Sequence, residues 1–514
     1  MPEEFFGNLK KKILPQWTVC FWSAVLFGLL AHFYKITNWL PNWDSLVFRY
    51  DPQDMLGMGR WFLSVASAFS SHFDLPFFTG LLAILLHSVG AVLICCIFRV
   101  KKNTTALLIG GAVATFPTVT SVMTYNYVAD AYAFSFVLAV LSAYFFTCEK
   151  PRFILAAILL AFSVGTYQAY LTVTVMLLLC HLIRETLRKE STPKELLVKS
   201  GKFLLTGFCG MLLYYGILLL LLKIRGMELL EYQGLNDAAS FSAMDIFASL
   251  YVIKEAILTY FVDFSQGLNA FSIINLFVFL LTAVFYLSEI IRGKLGWGKL
   301  FLLAVFILAL PFGACILAFI NSRIDYHNLM KMGFFVFYLF FFLQYEKEEK
   351  SEKQRGVKAW SILLVSTVLI LTQALLANIS YHKLGLSYEK SYGTLIRIAD
   401  RLEQTEGAEN CGKILVLGAL DGSEAYSALL PPNLTGITDG YILRADDEIV
   451  GQSVLCSALN DYCGTDYQFL AGKEKKAILE KIEGKSLGVW PEANCILVQD
   501  DVLIIKMGEV EEKK

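Results

Sequence analysis

Residues 38–61, NWLPNWDSLVFRYDPQDMLGMGRW, hold three carboxylates (Asp44, Asp51, Asp54) and two arginines (Arg49, Arg60) beside three tryptophans. A plain connecting loop needs none of them. A carboxylate can deprotonate a hydroxyl or hold a divalent metal on a leaving phosphate, and a cation stabilises that phosphate as it departs. Asp44 can supply the first role and Arg60 the second. Farther along, NSRIDYHNLMK spaces Arg323, His327 and Lys331 four apart, so a helix would present all three on one face as an anion site suited to phosphate. Asn126 and Asp130, in YNYVADAYAFSF, are also four apart and share a helix face. Tyr167-Gln168-Ala169-Tyr170 adds stacking and amide groups that suit a sugar.

Each of these residues also has a plainer reading. Asp51-Pro52 looks like a helix start, with Asp51 as N-cap and Asp54 in the first turn, so both acids are either caps or metal ligands. Asp44 can cap a short turn. Asn126 and Asp130 can be wetted groups at a membrane surface, the tyrosines an interfacial belt, and Arg323, His327 and Lys331 snorkelling or interfacial residues.

The elements that must carry these residues are membrane spans. Of 514 residues, 56% are hydrophobic and 17% charged, and mean hydropathy is +0.56, which excludes an ordinary soluble chain. Apolar blocks of about 20 residues predict about eleven spans, near 17–37, 75–99, 104–123, 125–147, 152–167, 168–183, 202–222, 270–291, 299–320, 329–345 and 358–378. The first lacks a small-residue cleavage site, so no removable signal peptide is expected. Lys10–Lys12, Arg99–Lys102, Lys150 with Arg152, the 184–199 break, Arg292–Lys299 and the 347–358 stretch make every second connection basic. The positive-inside rule then puts the N-terminus in the cytoplasm, and the intervening loops and everything after 378 outside. A helix over about 52–71, with Met55, Met58, Phe62, Val65 and Phe69 on one face, is expected to lie in the outer interface, and 243–262 reads as another interfacial or re-entrant helix.

Two domains are expected: a membrane domain over 1–378 and a small α/β domain over 379–514. The tail carries a helical segment at 386–404, a strand KILVLGA, loop-rich sequence, a helix at 472–484, and paired strands CILVQDD and VLIIKM. Cys411, Cys456, Cys463 and Cys495 are an even set in a disulfide-permissive place, with pairing left open. GALDG lacks the spacing of a nucleotide fingerprint, and no Walker, nucleophile-elbow or HExxH pattern occurs. Nothing points to nucleic acid.

A site facing outside has no supply of nucleotide sugars, so an enzyme there must draw on a lipid-linked donor. The constellation also fits a transporter of anionic lipids or sugars. NWDSL…GRW, YNYVADAYAFSF and the closing WPEANCILVQDDVLIIKM resemble the glucosyltransferase-II family, membrane enzymes related to phage serotype-converting glucosyltransferases that decorate bacterial O-antigen. The resemblance implies the GT-C membrane fold, mainly α, in the bacterial cytoplasmic membrane. It also implies a polyprenyl-phosphate glucose donor, a cell-surface polysaccharide acceptor and a first-loop catalytic aspartate, here Asp44. Donor phosphate would be held by Arg60, Arg323, His327 and Lys331, and sugar or acceptor by Asn126, Asp130, Tyr167 and Gln168. A divalent cation, Mg or Mn, is the one cofactor this chemistry admits. Many such first loops carry neighbouring acids, whereas Ser45 follows Asp44 and the next acid is Asp51. A flippase of lipid-linked sugars and a polysaccharide polymerase or ligase are the alternatives.

Overall fold

The computed structural model describes residues 13–188, 191–230, 243–262, 270–321, 324, 326–347, 352–418 and 448–508, with Glu3, Glu4 and Gly7. The described residues form two units, one built from 13–38 and 51–378, the other from 39–50, 379–418 and 448–508.

In the first unit and the helix that leaves it, nine helical stretches among the described residues are long and apolar enough to cross a membrane. Eleven were expected. The two others, Phe153–Thr166 and Met332–Glu346, are apolar but shorter than 18 residues. The stretch Asn103–Thr124 is broken in the middle: Phe116 is extended (ψ 135°) and Pro117 starts a new helix, because proline disfavours the helical region for the residue before it. Small residues let these helices approach closely. A Cβ on Gly110 would lie 2.3 Å from the Cys20 carbonyl, and one on Gly90 would lie 2.3 Å from the Phe136 ring. Buried hydroxyls are satisfied across helices: Ser135 and Ser163 each donate to the other's carbonyl at 2.9 Å, and Thr174 donates to Ala139 at 2.9 Å.

Two expected helices take another form. The 52–71 stretch is a 3₁₀ turn (Leu56–Met58), a five-residue helix (Leu63–Ser67) and a second 3₁₀ turn (Ala68–Ser70). The span expected to reach 320 ends at Ala314, followed by a 3₁₀ turn over Ile316–Phe319. Ala243–Phe261 is helical as expected, and its Ser249 hydroxyl donates to Ala318 at 2.7 Å.

The second unit holds a four-stranded sheet: β1 (Lys413–Leu417), β2 (Gln468–Phe469), β3 (Ile496–Gln499) and β4 (Val502–Lys506), in order β2-β1-β4-β3. β1 runs parallel to β2 and β4, and the expected pair β3–β4 is antiparallel. Alternating residues feed two cores. Ile414, Val416, Leu503 and Ile505 face helix Glu448–Cys463 and the end of helix Glu352–Glu403, while Leu415, Val502 and Ile504 face helix Gly472–Ile482. The 386–404 segment is therefore the end of a 52-residue helix. Much of the loop-rich stretch, 419–447, lies outside the described residues. Cys411, Cys456, Cys463 and Cys495 are free thiols; Cys456 donates to the Tyr467 carbonyl at 2.8 Å.

Candidate functional site

The first unit holds Arg60 in a short folded loop. Met55 and Arg60 form an isolated antiparallel bridge, with the Arg60 N–H donating to the Met55 carbonyl at 3.1 Å. The turn between them needs a left-handed residue, and Gly59 supplies it at φ 77°. There is also no room for a side chain: a Cβ on Gly59 would come within 2.6 Å of the Tyr214 hydroxyl and 2.9 Å of Gln168 Nε2. Those two groups anchor the turn. Gln168 Nε2 donates to the Met58 carbonyl at 2.8 Å and Tyr214 to the Gly59 carbonyl at 3.0 Å. Trp61 packs its indole on Gly165, and the Phe62 N–H donates to the Gly165 carbonyl at 2.8 Å. Trp61 is thus a packed ring inside the first unit, against Phe62 and Phe162.

So held, the Arg60 guanidinium lies 4.9 Å from the Tyr167 ring centroid, and its Nη1 donates to the Tyr132 hydroxyl at 3.3 Å. Tyr132 and Tyr167 stack at 4.6 Å with 19° between planes. The result is a cation over the Tyr167 ring, tied to the hydroxyl of the stacked Tyr132, a planar donor set that suits a phosphate or carboxylate. Arg60, Tyr167 and Gln168 line a cavity with Asn321, Ile324 and Met330. Sequence reasoning found Arg60, Tyr167 and Gln168; it missed Tyr132, although YVADAY placed that ring two residues from Asp130. Gln168 acts first as a clamp on the Arg60 loop.

Asn126 and Asp130 occupy a second polar cluster. Asp130 sits in the first turn of helix Ala129–Thr147 at 2% exposure, and neither carboxylate oxygen has a hydrogen-bond partner among the described residues. Ser70 is the side-chain hydroxyl that faces it, and that hydroxyl donates to the Ser67 carbonyl at 3.0 Å. Asn126 Nδ2 donates to Asp74, and the buried Lys35 ammonium lies within reach of the Asp74 charge. Lys35 and Asp74 escaped the sequence reading. The signal was there: a lysine in the last turn of span one, on the side where positive charge is not expected, and an acid just before span two.

Of the expected helix face of Arg323, His327 and Lys331, His327 and Lys331 do not share a helix. Arg323 lies outside the described residues. His327 is extended (ψ 170°), and Lys331 falls between the 3₁₀ turns Asn328–Met330 and Met332–Phe334, so the four-residue helical spacing fails. Lys331 is buried with its ammonium 5.6 Å from the Tyr260 ring centroid, while His327 is half-buried.

Asp51 and Asp54 do not begin a helix. Asp51 accepts from the Gln53 N–H at 2.6 Å, a local turn bond, and Asp54 pairs with Arg225 at the end of helix Pro193–Arg225. Both acids are thus engaged, Asp51 by a backbone N–H and Asp54 by the Arg225 guanidinium. Among the described residues, no three His, Cys, Asp or Glu side chains gather as a metal site.

Asp44 belongs to the second unit, in helix Trp43–Val47, which packs on helix Glu448–Cys463. The helix is capped by Asn42, whose Oδ1 accepts from the Ser45 N–H at 2.9 Å, and Leu46 enters the larger core. The capping role considered for Asp44 is therefore filled by Asn42, leaving the Asp44 carboxyl half-buried in the first turn. Loss of water raises its pKa from 3.8 to about 6. Nearby in the chain, Arg49 sits 4.7 Å from the Trp39 ring centroid and 5.5 Å from that of Tyr462, and pairs with Asp461 at 3.4 Å. Trp39 is thus packed within this unit.

Residues 33–343 match a family model described as Glucosyl transferase GtrII, more than half of the 514 residues. No curated protein and no solved structure matches the chain.

Proposed function

This chain belongs to the Glucosyl transferase GtrII family, and its apolar helices make it a membrane glucosyltransferase; we propose that it moves glucose from a polyprenyl-phosphate donor to a cell-surface polysaccharide. In this reading, transfer takes place on the outer face of the bacterial cytoplasmic membrane, with the N-terminus in the cytoplasm and the tail outside. The observation that carries it, beside the family, is the Arg60 guanidinium held over the Tyr167 ring and by the Tyr132 hydroxyl, in a lined cavity. A fixed planar cation is what a departing phosphate needs. Lys331, His327 and Arg323 are the further candidates for that phosphate, and Asn126, Asp130 and Tyr167 for hydroxyls of the sugar or acceptor.

Asp44 is assigned as the base. It removes the proton from the acceptor hydroxyl while the acceptor oxygen attacks the anomeric carbon and the bond from that carbon to the phosphate oxygen breaks. A carboxyl with a pKa near 6 is ionised in most molecules at neutral pH, yet basic enough to take a proton.

The test compares the sugar composition and linkage of the surface polysaccharide between cells making the native chain and cells making Asp44→Asn at equal membrane abundance. Disappearance of one side-branch sugar is the expected result. An unchanged polysaccharide, with transfer also intact in membranes supplied with polyprenyl-phosphate glucose, would remove Asp44 from the mechanism. The same membranes, chelated and then resupplied with Mg or Mn, test the cofactor expectation.

A further inference from the structure

We propose that a cleft at the basic ends of the spans binds the phosphate headgroup of an anionic phospholipid. The cleft has a volume of about 590 Å³ and is lined by Arg99, Tyr144, Glu149, Lys150 and Arg152, among others. Helix Pro76–Ile97 and helix Ala129–Thr147 end at it and helix Phe153–Thr166 begins at it. It therefore sits where hydrocarbon gives way to headgroups. Three cations against one acid leave a surplus of two positive charges, since Glu149 pairs with Arg99 at 3.4 Å. That surplus complements the single negative charge of a phosphodiester.

Two details separate this cleft from scattered basic residues. Arg99 stands just beyond a helix end with φ 50°, a left-handed position where glycine is the cheap choice. Its neighbour Val100 donates to the Cys95 carbonyl at 3.0 Å, closing the turn that holds it there. Arg152 is steadied by the Phe145 ring, 5.8 Å from its centroid, and its N–H donates to the Phe145 carbonyl at 3.0 Å. Beside the cleft, Ile154 and Ile158 stand one turn apart, 81% and 37% exposed, and offer a track for an acyl chain. Basic clefts between spans, on the side the positive-inside rule assigns to the cytoplasm, suit anionic lipid in charge and depth.

The experiment uses the full chain in neutral detergent, titrated with short-chain phosphatidylglycerol, phosphatidylcholine or inorganic phosphate and read by native mass spectrometry. Phosphatidylglycerol is expected to bind at least tenfold more tightly than phosphatidylcholine. Arg99→Gln, Lys150→Gln and Arg152→Gln together should lower that affinity tenfold or more. Arg292→Gln with Lys294→Gln, cations of another basic connection, should change it less than twofold. Lys150→Glu, at an exposed position, keeps the test open should the triple variant fail to fold, with a loss of at least threefold expected. Retention of phosphatidylglycerol within twofold by both cleft variants would overturn the proposal. So would full displacement of the lipid by an equal concentration of inorganic phosphate, which would mark a site for free anions.

Discussion

Asp44 and Asp130 are the same side chain held in two very different ways. Asp44 rides on a five-residue helix of the second unit, half-buried, its pKa raised to about 6. Asp130 sits in the first turn of a 19-residue helix of the first unit at 2% exposure, with no hydrogen-bond partner for either oxygen among the described residues. A general base must exchange its proton with a reacting group and be near its midpoint at the working pH. A carboxylate shut away from water instead shapes its surroundings through charge, at an energetic cost. In the proposed function, the half-buried Asp44 is the base and the enclosed Asp130 a positioning group.

The largest effect expected is that of Asp44→Asn: a loss of transfer of roughly 10²–10⁴-fold, the usual worth of a general base. Its effect on stability should have the opposite sign. A carboxyl whose folded pKa is above its unfolded value binds more protons when folded, so the native chain loses stability as pH rises from 3.8 through about 6. Asparagine removes that penalty, so at pH 7.5 the variant should be more stable by about 1 kcal/mol after discounting for partial exposure. An activity assay beside a thermal melt checks both. Lost activity with lowered stability would mean that Asp44 is structural.

Arg60 comes next. Arg60→Gln should slow transfer by roughly 10–100-fold, in line with about 1.5–3 kcal/mol for a hydrogen bond to a charged group. Arg60→Lys should recover little of it, because lysine keeps the charge but not the plane that stacks on Tyr167. Recovery to within twofold of the native rate would reduce Arg60 to a point charge. The pH profile is a gentler probe of the Asp44 side of the comparison. As base, Asp44 must be ionised, so the rate should halve near pH 6 and fall about tenfold per unit below it. A rate that stays flat from pH 7.5 to pH 5 would give the proton to another group.

Single residues were easier to find in the sequence than their partnerships. Arg60, Tyr167 and Gln168 stood out because polar and cationic groups are expensive in an apolar chain. Tyr132, which receives Arg60 across 72 residues, and Tyr214, which clamps Gly59 across 155, look like any other tyrosines until the helices are assembled. The expected 52–71 helix failed for a definable reason. Met55, Met58, Phe62, Val65 and Phe69 keep a helical period, but Gly57 and Gly59 weaken helix formation there, and Leu230, Tyr214, Gln168 and Gly165 hold a folded loop instead. Likewise, His327 and Lys331 have the right spacing for a shared helix face, but His327 is extended and a 3₁₀ turn over Asn328–Met330 separates it from Lys331. In the tail, the apolar runs of β1, β3 and β4 were legible. Helix Glu448–Cys463 was not, because Gly451 and a mixed pattern hide its buried face.

Asp130→Asn is the smallest change and the sharpest test of the contrast. The amide matches the carboxylate in shape, so packing in the first turn of helix Ala129–Thr147 is kept and only charge is lost. If Asp130 positions its neighbours, the pH profile set by Asp44 should keep its midpoint near 6 while the rate falls less than tenfold. The half-saturating donor concentration should carry more of that fall than the turnover rate. Thermal stability should hold or rise, because removing a buried charge without a bonded partner relieves a desolvation cost. If instead the rate collapses a hundredfold and the midpoint moves, Asp130 is the proton acceptor. The polar cluster of Asn126, Asp74 and Lys35 is then the one built for catalysis, and half-burial with a raised pKa is no sufficient sign of a base in this chain.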